Sequence, residues 1–386
     1  MNAKRPECIF FSENLLGGVQ SYYHNLITHD PFNEFDKKWI LVDKENTTDS
    51  RLPALYNTGF ETLFTYKGDD NAYEFGKALS KLISNRPGVI MANHDIELSS
   101  LYLYPRPAKT VFFVCHDENY LPIARRFHSI IDVFVAHNIH FANRLREEFP
   151  ERSHDIYYLP YGINMATQLR KPSTEGPLRL VFLARFHKNK GIYRLPVIDD
   201  LLKARNISVK WTLIGDGPEY SNVRALVNDR NNFEFKRFDH NNEVLNEIKE
   251  HDVFVLPSYL EGMPVSLLEA MSAGLVPVIT RYNPGITRAV SESEGFILEM
   301  DDDKGIAEKI ELLHKDRNLL NKLGSQCRKK IETDYDINKR AEDYYKLFRE
   351  FKQLKRELPR QKLKFGHRLD HPLISKSLRQ ALRKLK

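Results

Sequence analysis

Short apolar runs rich in β-branched and aromatic residues alternate with segments of helical periodicity along most of the chain. In the N-terminal half the apolar runs are CIFF, KWILV, ETLFTY, GVIMA, TVFFVC and DVFVAH. Continuous apolar runs of this length are typical of parallel strands that are buried on both faces. Between two of these runs, residues 73–83 have apolar side chains at helical spacing. The pattern therefore predicts a parallel sheet whose strands are connected by helices.

A second series of the same kind follows in the C-terminal half. The segment IYYLPYGIN leads into the polar stretch 171–177, which contains Pro and Gly and predicts a linker. The apolar runs LRLVFLA, VKWTLIG, DVFVLP and LVPVIT come next, again separated by helical segments. Two successive series predict two doubly wound α/β domains that face each other. The cleft between the carboxyl ends of their strands is then the expected ligand site.

Charge is distributed unevenly along the chain. The net charge is +6, but residues 352–386 hold 12 Lys and Arg against 2 Asp and Glu, so the rest of the chain is slightly acidic. Nucleic-acid binding needs a basic surface. We therefore expect no nucleic-acid partner for the body of the protein.

The apolar runs and the cysteines bear on the cellular compartment. No apolar stretch approaches the roughly 20 residues that a membrane-spanning helix needs. The apolar run that begins at Cys8 is too short for a signal peptide and fits a first buried strand. The three cysteines, Cys8, Cys115 and Cys327, do not have the spacing of metal ligands. We expect reduced thiols in a cytoplasmic protein.

The stretch SYLEGMPVSLLEAMSAG, which begins at Ser258, carries the most information about chemistry. It follows the run DVFVLP and opens a helix, with Pro264 suited to the first turn. The free N–H groups at such a helix start can bind an anion such as a pyrophosphate. The backbone between Gly262 and Ser266 would present these groups, and the donor-binding candidates here are Gly262, Met263, Pro264 and Val265.

Two glutamates frame the start of this helix. Glu261 lies in the loop before it and Glu269 lies within it. One carboxylate can therefore meet a sugar ring while the other binds a pair of ribose hydroxyls. The alternative is a solvated loop glutamate and a helix-surface glutamate without a function. Together with the following AMSAGLVPVI, the spacing resembles the two-glutamate signature of the family 4 (group 1) retaining glycosyltransferases, which have the GT-B fold.

A basic loop follows the first strand of the C-terminal series. In LARFHKNKG, residues 183–191, Arg185 and Lys190 resemble the Arg and Lys pair with which the family neutralises the donor diphosphate. Two fixed cations stabilise the negative charge that grows on a departing diphosphate. A basic loop alone is usually solvated surface. Ala184 departs from the family, which usually has glycine there.

The next two candidates border the expected nucleotide pocket. The run LIGDGP contains Gly217 and is similar to a turn of the family, although many strand-to-helix turns have this form. Phe238 lies where the resemblance places the nucleotide base. Arg237 stands near the position where the family usually carries a glycine, which leaves the base preference open.

Two more candidate elements come from the N-terminal half. Gly17 and Gly18 follow the first strand and allow the backbone to approach a phosphate closely, with a tight turn without a ligand as the alternative. His116 follows TVFFVC and resembles the family's histidine beside the donor sugar. A lone histidine at a strand end is often structural. The neighbouring Asp117 is an alternative for part of this role.

Metal binding is the chemistry that we do not expect. The run Asp301-Asp302-Asp303 is similar to the metal-binding Asp-x-Asp motif of the other major glycosyltransferase fold. It precedes a helix, however, where acidic residues cap the helix and complement its dipole. The resemblance implies no metal and no other cofactor, because Arg185 and Lys190 already supply positive charge.

The resemblance covers residues 7–350 and implies an α/β protein of the GT-B fold with two Rossmann-like domains. We expect an acceptor-side domain over residues 1–165 and a nucleotide-sugar-binding domain over 166–336. Residues 337–355 are expected to form a helix that packs back on the first domain. Residues 356–386 form a basic tail.

The implied function is that of a retaining, metal-independent glycosyltransferase that acts on a glycan or lipid-linked acceptor in surface polysaccharide or glycolipid biosynthesis. The alternatives are a catalytically inactive sugar-binding partner protein and a nucleotide-sugar epimerase or phosphorylase of the same fold. Residues 372–386 have a basic amphipathic pattern, which predicts peripheral contact with an anionic membrane surface on its cytoplasmic side. A tail packed on the protein or an unstructured tail is the alternative to membrane contact.

Overall fold

The computed structural model describes residues 4–15, 17–45, 57–172, 174–238, 241–359 and 361–366, together with residues 370, 374 and 378. The predicted membrane-contacting segment 372–386 therefore lies outside the described residues, apart from 374 and 378. The described part of the chain contains no helix that is long and apolar enough to cross a membrane.

The first sheet has seven strands, all paired in parallel, in the order β3-β2-β1-β4-β5-β6-β7. All six apolar runs predicted as strands in the N-terminal half are confirmed, and a short seventh strand lies in the segment IYYLPYGIN. The strands are β1 Glu7–Glu13, β2 Asp36–Lys44, β3 Glu61–Tyr66, β4 Gly88–Ala92, β5 Lys109–Cys115, β6 Val133–Ala136 and β7 Ile156–Tyr158. The connecting helices are α1 Gly18–Thr28, α2 Ala72–Ser80, α3 Asp95–Leu103, α4 Leu121–Phe127 and α5 Ile139–Glu148.

The second sheet has six parallel strands in the order β10-β9-β8-β11-β12-β13. The four predicted runs are confirmed as strands, and the pattern missed β10 and β13, which lie at the two edges. The strands are β8 Leu178–Leu183, β9 Val209–Ile214, β10 Phe233–Lys236, β11 Val253–Leu256, β12 Val276–Thr280 and β13 Phe296–Leu298. The helices are α6 Arg194–Ala204, α7 Tyr220–Leu226, α8 Asn241–Ile248, α9 Val265–Ser272, α10 Asp303–Lys315 and α11 Arg317–Asp334.

Both sheets change strand order in the middle. In the first sheet this point lies between β1 and β4, and in the second it lies between β8 and β11. Connections leave towards opposite sides at such a point, which opens a crevice beyond the carboxyl ends of the two strands. The loops after β1, β8 and β11 carry most of the candidate residues, so the topology alone directs them towards this edge.

The chain then returns to the first sheet. Helices α12 (Ile337–Arg349) and α13 (Phe351–Leu354) follow α11. Tyr345 on α12 donates a hydrogen bond to the carbonyl of Leu26 at 3.1 Å, and the ring of Phe348 packs edge-on against Phe10 and Phe112. The C-terminal helices thus cover the side of the first sheet that α1 also covers.

Residues beyond α13 continue across the first domain. Lys355 Nζ lies 3.0 Å from Asp132 Oδ2, and the N–H of Leu363 donates to the Tyr102 hydroxyl at 3.0 Å. The Phe365 ring is buried and lies 5.3 Å from the Tyr102 ring, between centroids. Leu363 and Phe365, in the first part of the basic tail, are therefore packed on the first domain.

Candidate functional site

The starts of helices α1 and α9 face each other across the two domains. A Cβ atom added to Gly18 would lie 3.4 Å from Val265 Cγ2. Gly17 and Pro264 precede the two helices, and neither has a side-chain atom that could accept a hydrogen bond from the first N–H groups. Pro264 was expected in the first turn, but it lies just before it with extended backbone (φ −66°, ψ 121°). The positive ends of two helix dipoles therefore converge on one place.

The loop before α9 touches the first domain backbone to backbone. A Cβ on Gly262 would lie 1.8 Å from the carbonyl oxygen of His116, so no residue with a side chain fits this close approach. Met263 and Val265, which follow in the same loop and helix start, are buried. The contact brings the predicted phosphate-binding loop of the second domain against the predicted histidine of the first.

Two asparagines that were not predicted connect the domains at the same place. Asn138 Nδ2 donates to the Gly262 carbonyl and to Asn283 Oδ1, both at 3.0 Å. Asn283 Nδ2 in turn donates to the carbonyls of Glu261 and Gly262, both at 2.9 Å. Asn138 follows β6 and caps α5 through its Oδ1 atom. The sequence position of Asn138 indicates only a helix cap. Its other partners, Gly262 and Asn283, belong to the second domain and could not be read from the local sequence.

Glu261 and Lys190 form an ion pair. Lys190 Nζ lies 2.7 Å from Glu261 Oε1, and the Ser258 hydroxyl donates to the same oxygen at 3.1 Å. The two loops are also joined through Asn189, whose carbonyl accepts from the Tyr259 N–H at 2.8 Å and from the Ser258 hydroxyl at 3.0 Å. These contacts hold the candidate sugar-binding carboxylate against one of the two candidate cations.

The remaining charged candidates differ in their exposure. Glu269 lies on α9 and is buried, with 6% of its surface exposed. Arg185 is exposed in the loop between β8 and Lys190. The Glu269 carboxylate is thus buried on α9, whereas the Arg185 side chain is exposed on the loop that follows β8.

The turn after β9 packs closely on the loop after β8. Gly215 and Gly217 have φ angles of +143° and +154°, which L side chains rarely adopt. A Cβ on Gly217 would also lie 2.5 Å from the carbonyl oxygen of Phe186. The carbonyl oxygen of Ala184 is the atom nearest to a Cβ added at Gly215. The two predicted loops therefore form one continuous edge of the site.

Arg237, which departs from the family pattern, has well-defined partners. Its guanidinium carbon lies 3.6 Å from the centroid of the Tyr220 ring, and Nη2 lies 3.0 Å from Asp216 Oδ1. Phe238 follows it, half-buried and packed against the core of the second domain. The Arg237 guanidinium thus lies over the Tyr220 ring, next to the turn that contains Gly217.

His116 lies at the carboxyl end of β5 and is 5% exposed. Its Nδ1 atom lies 2.8 Å from the Tyr161 hydroxyl, and its Nε2 atom is buried without a hydrogen-bond partner among the described residues. Burial lowers the pKa of His116 well below its usual value, so the ring is neutral. Asp117, the alternative for its role, instead caps the following turn through the N–H of Asn119.

The acidic run before α10 caps that helix, as predicted. Asp302 Oδ1 accepts a hydrogen bond from the N–H of Gly305 at 2.8 Å. Asp303 Oδ1 lies 2.7 Å from Arg194 Nε. Asp302 thus caps α10, and Asp303 forms an ion pair with Arg194.

Comparisons with known proteins bear on the second domain and on the fold. Residues 166–330 match the family model of the glycosyl transferases group 1. The capsular polysaccharide biosynthesis glycosyltransferase CapM of Staphylococcus aureus is 28% identical over 159 residues, 40% of this chain and 41% of the relative. The UDP-Gal:alpha-D-GlcNAc-diphosphoundecaprenol alpha-1,3-galactosyltransferase of Escherichia coli is 35% identical over 107 residues, 28% of this chain and 27% of the relative. The matches cover less than half the length of these two curated relatives.

A solved structure extends the comparison to the whole fold. The pneumococcal O-GlcNAc transferase GtfA, in complex with UDP and GlcNAc, is similar over 90% of this chain and 99% of its own, with a TM-score of 0.70 and 11% identity. The protein is an α/β protein with the GT-B fold. For residues 166–330, the predicted resemblance to the group 1 glycosyltransferases is confirmed.

Proposed function

We propose that the protein is a retaining glycosyltransferase that moves a sugar from a nucleotide diphosphate sugar to an acceptor. The observation that carries the proposal is the apposition of the α1 and α9 starts at Gly18 and Val265. Free N–H groups and two positive dipole ends converge there, which suits a diphosphate bound between the domains. The match of residues 166–330 to the group 1 glycosyltransferases supports the same ligand.

In this proposal each candidate side chain has one task. Arg185 and Lys190 neutralise the charge that develops on the leaving diphosphate, where fixed positive groups lower the barrier most. Glu261 orients the donor sugar through its carboxylate, which Lys190 and Ser258 hold in place. Glu269 binds the ribose hydroxyls, and the turn at Gly217 with Phe238 borders the nucleotide.

The reaction proceeds on one face of the sugar. As the bond between the anomeric carbon and the diphosphate oxygen breaks, the acceptor oxygen attacks from the same side. The departing diphosphate takes the proton of the acceptor hydroxyl, so the configuration is retained. Lys190 and the backbone N–H groups at the start of α9 stabilise the leaving group. Because these groups supply positive charge, the proposal requires no metal.

The relatives indicate the substrates to test first. GtfA was solved with UDP, so UDP is the first nucleotide for this chain. The galactosyltransferase relative is named for a diphosphoundecaprenol-linked acceptor and CapM for capsular polysaccharide. We therefore propose a glycan or lipid-linked acceptor in surface polysaccharide or glycolipid assembly. In this proposal the transfer reaction takes place in the cytoplasm, and residues 372–386 contact the surface of an anionic membrane.

Calorimetric titration of UDP, GDP and ADP into metal-free protein tests the donor site. We expect tight binding of one nucleotide, with about tenfold weaker binding in Glu269→Ala because a hydrogen-bonding carboxylate is lost. Glu292→Ala, an exposed glutamate outside the site, is the matched control and should bind like the wild type. Binding of none of the three nucleotides would contradict the proposal.

A second experiment tests the requirement for metal. Transfer should proceed undiminished in excess chelator once the donor and acceptor are known. A loss of activity that divalent metal restores would contradict the metal-independent reaction while leaving the donor site intact.

A further inference from the structure

A cluster of buried histidine and tyrosine side chains lies beneath His116. His116 and His137 directly follow the adjacent strands β5 and β6, and their ring centroids are 5.0 Å apart. The segment after β7 contacts both rings, through Leu159 and Tyr161. None of these contacts is needed to hold the strands together, because the backbone ladder already does so.

The proton on His137 can be located from its partners. Its Nδ1 atom lies 3.0 Å from the carbonyl oxygen of Leu159, and a carbonyl can only accept a hydrogen bond. The Tyr344 hydroxyl also lies 3.0 Å from Nδ1, but a lone pair on Nδ1 would then face the Leu159 carbonyl oxygen, so Nδ1 of the neutral ring carries the proton. Tyr344 on α12 donates to the same carbonyl at 3.0 Å. The His137 ring then stacks on the Tyr161 ring, with 3.8 Å between centroids, and holds that ring in place.

Tyr161 and His116 can pair in two ways, which leave different numbers of buried groups unsatisfied. If the Tyr161 hydroxyl donates to Nδ1, the proton of His116 is on Nε2, and that N–H is the one group left without a partner. If Nδ1 donates instead, both the phenol proton and the lone pair on Nε2 are left unpaired. Tyr161 is 4% exposed, and within the described chain its hydroxyl has no hydrogen-bond partner besides His116. Since every buried polar group without a partner costs free energy, the arrangement that leaves fewer of them unpaired, the first, is favoured.

We propose that Tyr161 is a positioning residue that holds His116 in the tautomer with its proton on Nε2. His116 then presents a hydrogen-bond donor, and not a base, to an oxygen atom of the ligand. The identity of that ligand as a donor sugar rests on the proposed function, whereas the tautomer itself does not.

The assignment has a consequence for the proton in the transfer reaction. In a neutral imidazole with hydrogen on Nε2, the one basic lone pair is on Nδ1, and here it already accepts the Tyr161 hydroxyl, so none is free for the acceptor's proton. His116 therefore does not deprotonate the acceptor hydroxyl. The leaving diphosphate remains the group that accepts this proton, and His116 binds a sugar oxygen during the reaction.

Nitrogen NMR of histidine-labelled full-length protein tests the tautomer directly. We expect the His116 Nδ1 signal at the position of an unprotonated ring nitrogen and the Nε2 signal at that of a protonated one. The signals are assigned by their loss in His116→Asn. In Tyr161→Phe, which keeps the ring but removes the hydroxyl, the tautomers should become mixed. A wild-type His116 protonated on Nδ1 would overturn the proposal even if Tyr161→Phe failed to fold.

Tyr344→Phe is the matched control, because it removes one hydroxyl from the same cluster without touching His116. The His116 signals should be unchanged in this variant. Equal changes in the Tyr344 and Tyr161 variants would mean that the cluster acts only through packing, and would overturn the proposal.

A double-mutant cycle, measured as transfer activity, then tests whether Tyr161 acts through His116. Tyr161→Phe should lower kcat about tenfold, as the loss of a residue that orients a site histidine typically does. In a His116→Asn background, the same change should cost less than twofold. Additive losses in the double variant would show that Tyr161 acts independently of His116. If no transfer is detected at all, the proposed function fails, but the NMR result still decides the tautomer.

Discussion

Lys190 Nζ lies 2.7 Å from Glu261 Oε1, an ion pair between two loops of the second domain that are far apart in sequence. Both side chains are mostly buried, with 22% and 10% of their side-chain surfaces exposed. Gly191 next to Lys190 has φ +69°, and a Cβ there would lie 1.9 Å from the Pro257 carbonyl. The loops are thus held together by backbone packing as well as by charge.

Replacing Lys190 with glutamine should lower kcat/KM about 100-fold. In the proposed mechanism the change removes a cation that stabilises the leaving diphosphate, and it also leaves the Glu261 carboxylate without its ion-pair partner. The thermal midpoint should change little, because the backbone contacts between the loops remain. Steady-state kinetics and thermal unfolding measure both effects. Lys188→Gln, an exposed lysine on the same turn, is the control, and an equal loss there would argue against a specific role of Lys190.

Replacing Gly262 with alanine should keep the domains from closing. The added Cβ would lie 1.8 Å from the His116 carbonyl across the domain interface. The φ angle of Gly262 is not positive, so each domain should still fold. We expect a larger radius of gyration by small-angle X-ray scattering and nucleotide binding weakened at least about tenfold. Gly68→Ala, which contacts only the end of the Lys44 side chain, should match the wild type. Unchanged scattering and binding in Gly262→Ala would contradict this prediction.

Replacing Asn138 with aspartate should weaken the same interface electrostatically. The Oδ1 cap of α5 is kept, but a carboxylate oxygen replaces Nδ2 and faces the Gly262 carbonyl at about 3.0 Å. Two acceptors without a proton between them repel each other, so nucleotide affinity should fall while the helical circular dichroism signal stays the same. Asn143→Asp on the exposed side of α5 is the matched control. Wild-type nucleotide affinity in Asn138→Asp would mean that the asparagine pair does not contribute to closure.

His137 should make stability depend on pH. Burial lowers its pKa to about 3, below the value of about 6.5 in the unfolded chain. The unfolded state therefore binds a proton first as the pH falls, and stability present above about pH 6.5 is lost towards pH 3. Between pH 7 and pH 5 this one group should lower the free energy of unfolding by about 2 kcal/mol.

Urea unfolding at several pH values measures this effect. His137→Asn, whose amide can still donate to the Leu159 carbonyl, should lose less stability on acidification than the wild type. His154→Gln, at an exposed position, should follow the wild-type curve. Identical pH dependence in all three proteins would show that His137 is not held neutral by burial.

Most strands were predictable because their apolar runs are continuous. β10 has the sequence FEFK and β13 the sequence FIL, and both are short and only partly buried at sheet edges. An edge strand needs fewer apolar residues because one side of it lacks a neighbour. Such strands leave only a weak pattern in the sequence, which is why these two were missed.

The candidate site was predictable where its residues lie in one local motif. Glu261, Gly262 and Glu269 belong to a single loop and helix, and the spacing of such residues can be read along the chain. Asn138, Asn283 and Tyr161 are isolated polar residues that follow strands or precede turns. Their partners come from another domain or another strand, so no local pattern marks them.

The order of apolar and polar residues was sufficient for two parallel α/β domains and for a helix that starts just after Pro264 in the second, because both depend on local periodicity and turn chemistry. It was not sufficient for the pairing of Lys190 with Glu261, the contact of Gly262 with His116 or the hydrogen bond between Tyr161 and His116. Those relationships depend on how sheets and domains pack. Packing brings together residues that are distant in sequence, and the free energy of each contact depends on the burial and hydrogen-bond partners that exist only after folding.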